Sequence, residues 1–423
     1  MKFSVTILGC KVNAYEAEAA AAELSGRGFT RVDPSEPADI SVVYTCAVTN
    51  TAGQKSRQMI RRGKRLNPGC ITAVAGCYSQ IASEMVEDAE IIIGTSNKHK
   101  LPDYIEEYIR TGEKIIDVQK EVKNEFELLT TDHFETHTRA YLKIEDGCNQ
   151  FCAYCVIPFA RGRERSMAPD QVIAEVKRLS AHHPEIVLTG IHTGRYGREY
   201  GVTLSQMIRR ILAEDSSLQR LRISSIEISE IDDDLLAVMA EDPRIARHLH
   251  IPLQAGSDHI LQLMGRPYTT DEYLKRIEEI REKIPGISIS TDLIVGFPGE
   301  TDEDFADTLT FLKACRFSFL HVFPFSLRSG TRAEQMPDHI DSKTKKERAG
   351  ICLSLSEKLY DEYKKQWLGR SAYVIAERSE GGDVLGHTSE YLPVRIRTQA
   401  ERGEYIRVKI TGLQDHEICA ERM

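Results

Sequence analysis

Three cysteines, Cys148, Cys152 and Cys155, stand in the run Glu145-Asp146-Gly147-Cys148-Asn149-Gln150-Phe151-Cys152-Ala153-Tyr154-Cys155. Spacers of three and two residues let the sulfurs converge on one inorganic centre, whereas structural zinc normally takes four protein ligands and an ordinary cubane four thiolates. A trio leaves one iron open to a chelating small molecule. A zinc knuckle completed by a distant fourth ligand is the alternative.

Cys10, Cys46 and Cys77 are far apart in sequence, yet each lies just beyond a segment that reads as a buried strand: Phe3 to Leu8, Ile40 to Tyr44 and Ile71 to Ala75. Helical segments between them imply a parallel sheet, whose strand ends share one edge. That topology predicts a second cubane with three protein ligands and an open iron, against the alternative of three unrelated core thiols. Cys70 precedes its strand and belongs at the opposite edge. Cys315, Cys352 and Cys419 read as small hydrophobes.

The elements that must position these thiols follow from periodicity. Asn13 is expected to N-cap a helix that carries Glu16 three residues on and ends near Gly26; further helices are expected over 54–66, 80–86 and 101–109. After the cysteine loop, strands at 141–144, 186–189, 221–226, 248–251, 287–295 and 319–323 alternate with helices, a six-unit partial barrel whose chemistry sits at strand C-terminal ends. Thr189 and Gly190 end the second of these strands, where a missing side chain permits close approach, and Ser225 and Glu227 supply a hydroxyl and a carboxylate at the third. A charged helix over 342–363 leads to short strands at 372–376, 392–396, 405–411 and 418–420. The fold class is α/β with a small all-β end: residues 1–115, 134–364 and 367–423.

Length, 423 residues, suits two or three domains, and no apolar run approaches the roughly 20 residues of a membrane span. Ten cysteines without an export signal point to metal chemistry in a reducing, cytoplasmic compartment. A net charge of −9 argues against nucleic-acid binding over the whole surface, but Lys55, Arg57, Arg61, Arg62, Lys64 and Arg65 form a run with no acid. Arg161, Arg163 and Arg165 form a second basic group. A solvated helix face is the plain reading of the first run.

The C-x3-C-x2-C loop resembles the signature of radical S-adenosylmethionine (SAM) enzymes, in which SAM fills the open iron and is cleaved to a 5'-deoxyadenosyl radical. Gly9-Cys10-Lys11-Val12-Asn13, Tyr44-Thr45-Cys46 and Ala75-Gly76-Cys77, placed ahead of that loop, resemble the N-terminal domain of methylthiotransferases, and the likeness runs through essentially the whole chain. It implies two 4Fe-4S clusters, the replacement of a C–H by C–S–CH3, and a SAM site that includes Tyr154, Gln254 of the His250-to-Ser257 block and Gly296 of an adenine-side turn. The C-terminal strands look like a TRAM domain, an OB-like RNA-binding barrel, although eight Lys or Arg there face nine Asp or Glu.

Lys11-Val12 after Cys10, with Thr49-Asn50-Thr51-Ala52 and Lys55-Ser56-Arg57-Gln58 after Cys46, resembles the branch acting on N6-threonylcarbamoyladenosine beside the tRNA anticodon. The isopentenyladenosine branch would carry Gln-Met after the cysteine, and the branch modifying a ribosomal-protein aspartate Pro-Lys. The implied partners are a tRNA anticodon stem-loop, contacted by Lys55, Arg57, Arg61, Arg62, Arg65, Arg161 and Arg163, and a flavodoxin- or ferredoxin-like one-electron reductant. The chain is expected to be a monomer without a membrane partner. A non-catalytic iron-sulfur or zinc RNA-binding protein is the rival from another class.

Overall fold

The computed structural model describes every residue except 123, 132, 136 and 415. Strands β1 (Lys2–Ile7), β2 (Thr30–Arg31), β3 (Ile40–Thr45), β4 (Ile71–Gly76), β5 (Ile91–Ile93) and β6 (Ile115–Asp117) form one parallel sheet in the order β2-β1-β3-β4-β5-β6. The central strand β3, Ile-Ser-Val-Val-Tyr-Thr, is buried along its whole length, and its apolar run is nearly unbroken because both faces are packed. Val42 and Tyr44 meet helices α1 (Lys11–Gly26) and α4 (Leu101–Thr111) on one face. Val43 and Val74 meet helix α2 (Asn50–Leu66), helix α3 (Cys77–Ile81) and residues Val156 and Ala160 beyond the cysteine loop on the other.

Helix α1 begins earlier than the capping pattern predicts. Cys10 holds the cap position without a capping hydrogen bond, and Asn13 lies within the helix, fully buried. Its amide donates to the Leu8 and Thr45 carbonyls at 2.7 and 3.0 Å, so it ties the ends of β1 and β3 together. Two orphan carbonyls at the strand ends outcompete the helix terminus for that side chain.

The second unit begins with β7 (Arg139–Lys143), followed by β8 (Glu145–Asp146), which pairs antiparallel with β9 (Arg165–Ser166) around the cysteine loop. Strands β10 (Glu185–Thr189), β11 (Arg220–Ile223), β12 (His248–His250), β13 (Ser288–Val295) and β14 (Phe319–Pro324) complete two parallel triplets, β7-β10-β11 and β12-β13-β14. Parallel bridges Leu221–Ile245 and Ser225–His250 join the triplets into a six-stranded open barrel. The expected strand over 221–226 stops at Ile223, and its continuation keeps contact through that second bridge.

At the C-terminus β15 (Ser371–Glu380), β16 (Asp383–Thr388), β17 (Pro393–Ile396), β18 (Tyr405–Gln414) and β19 (Glu417–Arg422) close a five-stranded barrel around Val374, Ile396, Val408 and Ile418. The sequence reading lacked β16, whose hairpin turn is Gly381-Gly382, both at positive φ. This barrel is bound to the central one: Arg139 pairs with Glu377 at 2.7 Å, Arg220 donates to the Tyr373 carbonyl at 3.0 Å, and Arg222 to the Ser389 carbonyl at 3.0 Å. Among the described residues no helix is long and apolar enough to cross a membrane.

Candidate metal centres and the cavity beside them

The C-terminal ends of β1, β3 and β4 lie side by side, which brings Cys10, Cys46 and Cys77 to one sheet edge, close enough for their charges to act on one another. Gly9 has φ +98°, and a Cβ there would sit 2.8 Å from both Cβ and Sγ of Cys46, so only glycine lets the Cys10 turn close over its neighbour. Burial raises the Cys46 thiol and pushes Cys77 up to about 11. Bare thiols there stay protonated, and a bound cation must displace the protons. Cys70 lies at the other end of β4, packed beside Gly63.

Arg161 Nε donates to Cys77 Sγ at 3.2 Å, and the same guanidinium holds Glu16, Asp146 and the Asn13 side-chain oxygen. Lys98, Lys143, Arg161 and Arg165 meet Glu16, Glu127 and Asp146 in one buried network. Four cations against three carboxylates leave one positive charge, and the Cys77 sulfur is its acceptor.

Asp146 also links this network to the second trio, since Gly147 and Cys148 follow it directly. A Cβ at Gly147, φ +85°, would lie 2.0 Å from the Arg163 carbonyl oxygen, so the loop starts at a backbone contact only glycine allows. His192 Nδ1 lies 3.5 Å from Cys148 Sγ, the Gln150 amide donates to the same sulfur at 3.4 Å, and Arg266 Nη1 donates to Cys152 Sγ at 3.3 Å. Burial opposes charge on His192, but Cys148, Glu164 and Glu230 outweigh it and hold the imidazolium, pushed up to about 12. Burial pushes Cys155 up to about 12 as well.

Both thiol sets suit an iron-sulfur cube better than a single ion. A tetrahedral zinc would draw its sulfurs to about 3.8 Å of one another. Among the described residues neither trio falls within 4.8 Å, a spacing met by His250, Asp292 and His321. Soft sulfurs, with donors from Arg161 on Cys77, the Gln150 amide on Cys148 and Arg266 on Cys152, are the surroundings of a polynuclear cluster.

Of the residues expected at SAM, Tyr154 and Glu227 come together with the second trio: Glu227 pairs with Arg266, and the charges of Cys152, Cys155, Arg266 and Glu227 all act on Tyr154. Thr189 is buried at the end of β10, and a Cβ on Gly190 would stand 2.7 Å from the Glu145 carboxylate, which in turn accepts the His192 amide at 2.6 Å. Ser225 is exposed and lines the large cavity described below. Gln254 has φ +71° and bridges β13 through Asp292 and Ile294. Gly296, at φ +72°, turns beneath Lys345 and donates its amide to Glu300.

The basic residues divide. Lys55, Arg65 and Arg163 are exposed, and Arg57 and Arg62 half-buried. Arg61 pairs with Asp88 at 2.8 Å and Lys64 with Glu90, acids from a separate segment that the run itself did not reveal. Arg161 is a correction: it is fully buried, spent on two carboxylates and a cysteine, and offers nothing to a phosphate. The sequence reading also missed His192 and Arg266. The position of His192 just beyond a strand end was the available signal; nothing local marked Arg266.

A cavity of about 590 Å³ opens where the three units meet, lined by Cys10 and Lys11, by Arg222, Ser225 and His250, and by Tyr391 of the last barrel. On β14 Phe319, His321 and Phe323 face it, whereas Leu320 is buried, the two-residue alternation of a strand with one wet face.

Residues 2–94 match the family model described as Uncharacterized protein family UPF0004, and residues 142–312 match the Radical SAM superfamily. The threonylcarbamoyladenosine tRNA methylthiotransferase MtaB of Bacillus subtilis is 40% identical over 419 residues, 95% of this chain and 92% of that protein. A tRNA-2-methylthio-N(6)-dimethylallyladenosine synthase of Thermoanaerobacter is 34% identical over 89% of this chain and 82% of its own length. The radical SAM methyltransferase TsrM of Kitasatospora setae shares the fold, with a TM-score of 0.58 at 15% identity over 78% of this chain and 76% of its own. The thiol trios, the open barrel and 40% identity over nearly the full length lead to one conclusion: the chain belongs to the radical SAM methylthiotransferase family.

Proposed function

We propose that this protein converts N6-threonylcarbamoyladenosine, beside the tRNA anticodon, to its 2-methylthio derivative, with SAM as methyl donor and as radical source. The observation that carries the reading is the gathering of Cys10, Cys46 and Cys77 at one sheet edge, joined through Arg161 and Asp146 to the start of the second cysteine loop. The B. subtilis relative bears this substrate in its name and exceeds the dimethylallyladenosine relative in identity, 40% against 34%. Lys11-Val12 after Cys10 supports the same branch.

On this reading Cys148, Cys152 and Cys155 hold one 4Fe-4S cluster and Cys10, Cys46 and Cys77 the other. When bound, the first supplies the electron that cleaves SAM, and the second carries the sulfur that is methylated and inserted. The chain's own residues position these groups. Arg266 fixes the Glu227 carboxylate for an ammonium group while it donates to Cys152. Tyr154, Thr189, Gly190, Ser225, Gln254 and Gly296 supply the remaining surface for SAM. Lys55, Arg57, Arg62, Arg65 and Arg163 take tRNA phosphates, with Arg61 joining once Asp88 releases it. A flavodoxin- or ferredoxin-like donor reduces a monomeric, cytoplasmic enzyme.

Mass spectrometry of nucleosides from a deletion strain and its complement tests the reading. Loss of ms2t6A on deletion and its return on complementation are expected. Loss of the dimethylallyl product instead moves the protein to the sibling branch, and no change in either defeats the proposal.

A further inference from the structure

Among the described residues, the cavity beside Cys10 carries one cation with no partner. Arg222 is committed to Glu185 and to the Thr388 and Ser389 carbonyls, and Arg139 to Glu377 and His387. Lys11 lines the same cavity, yet among the described residues its ammonium meets no hydrogen-bond or ion-pair partner. Of the two acids on the cavity wall, Asp292 is held by His250 at 3.3 Å, and Glu390, whose pKa burial raises, makes no ion pair with Lys11. A half-buried ammonium without a counter-ion is costly, and an anion brought by a ligand would offset that cost.

Resting on the function proposed above, we infer that Lys11 is the specificity residue that receives the carboxylate of the threonyl arm. In adenine, C2 and C6 are both bonded to N1, so a base that presents C2 to the metal centre at Cys10 carries its N6 substituent along the same edge, toward the residue that follows Cys10. Phe319, His321 and Phe323 give the splayed-out base an aromatic wall to stack on. A dimethylallyl arm has no charge to offer and would leave Lys11 unpaired, so one lysine both attracts the acidic nucleoside and rejects the apolar one.

The test uses the anaerobically reconstituted full-length enzyme and two anticodon stem-loops, one with N6-threonylcarbamoyladenosine and one with its threonyl methyl ester. Fluorescence anisotropy reports affinity, and mass spectrometry reports product. Wild type is expected to favour the acid by about 10- to 100-fold, the range of one charge-assisted hydrogen bond. In Lys11→Met that preference should collapse toward one, and Lys11→Arg should restore most of it. Equal affinity of wild type for acid and ester, which needs no variant, overturns the inference, as does a Lys11→Met protein of normal iron content that keeps the full preference. In both cases conversion of the acid stem-loop by wild type leaves the proposed function standing. Failure of wild type to convert it, with conversion of a dimethylallyladenosine stem-loop, overturns both.

Discussion

Arg161 Nε donates to Cys77 Sγ at 3.2 Å across 84 positions of sequence, and the guanidinium's other nitrogens reach Glu16, Asp146 and Asn13. One side chain thus neutralises buried acids and faces the Cys77 sulfur in a different unit. Arg161→Met should strip hydrogen bonds from Glu16, Asp146, Asn13 and Cys77 while Lys98, Lys143 and Arg165 still balance the acids, and lower stability by about 1–3 kcal/mol. Arg161→Lys should recover only part of this, because a single ammonium cannot reach four acceptors. Urea unfolding midpoints, read beside iron content, give both quantities.

Cys10→Ala, Cys46→Ala and Cys77→Ala should each reduce bound iron by about four per chain while SAM cleavage survives, whereas Cys148→Ala should abolish cleavage. Cys70→Ala should leave iron unchanged. Iron and acid-labile sulfide assays with 5'-deoxyadenosine detection read these outcomes; equal iron loss at Cys70 would mean that the wrong sheet edge was chosen.

Gly9→Ala places a methyl group 2.8 Å from Cys46 Sγ on a backbone at φ +98°. A strain of about 1–3 kcal/mol is expected, falling on Cys10, Cys46 and Cys77 and sparing the Cys148 loop. Spectroscopy of the reconstituted variant should show one cluster type diminished and the other intact.

His183 is buried, accepts the Phe134 amide at Nε2 (3.0 Å) and contacts the Thr138 carbonyl through Nδ1 (3.2 Å). Burial, only partly offset by Thr138, lowers its pKa to about 4, against about 6.5 for a free histidine. Between these values the unfolded chain binds the extra proton, so stability should fall as pH drops from about 6.5 to 4 and change little from this source above or below. Denaturation midpoints across that range should be flatter in His183→Gln.

Lys55→Glu, Arg65→Glu and Arg163→Glu should each weaken tRNA binding and flatten its salt dependence by about one unit of slope per lost phosphate contact. Arg61→Glu should cost less, since Asp88 already occupies that guanidinium. Affinity titrations over a range of salt decide between a phosphate-binding face and a solvated helix.

Much of this was legible because the informative signals were local or topological. Cys148, Cys152 and Cys155 are neighbours in sequence, and strand ends alone placed Cys10, Cys46 and Cys77 together and Cys70 apart. What escaped were partnerships between side chains remote in sequence. No periodicity announces that Arg266 will meet Cys152, 114 positions away, or that Asp88 will neutralise Arg61. Asn13 looked like a helix cap because composition cannot weigh a cap against two strand-end carbonyls. The strand Asp383–Thr388 was hidden by a Gly-Gly turn and by Gly386 and His387 within it.

The bonds that fasten the last barrel through Arg139, Arg220 and Arg222 make Tyr391 and Leu392 part of the cavity wall. One set of arginines therefore both fastens the last barrel and fixes one wall of the cavity. On the proposed function, a protein truncated after the long helix would leave this cavity gaping on one side, and a reactive species made inside would meet solvent before it met its target.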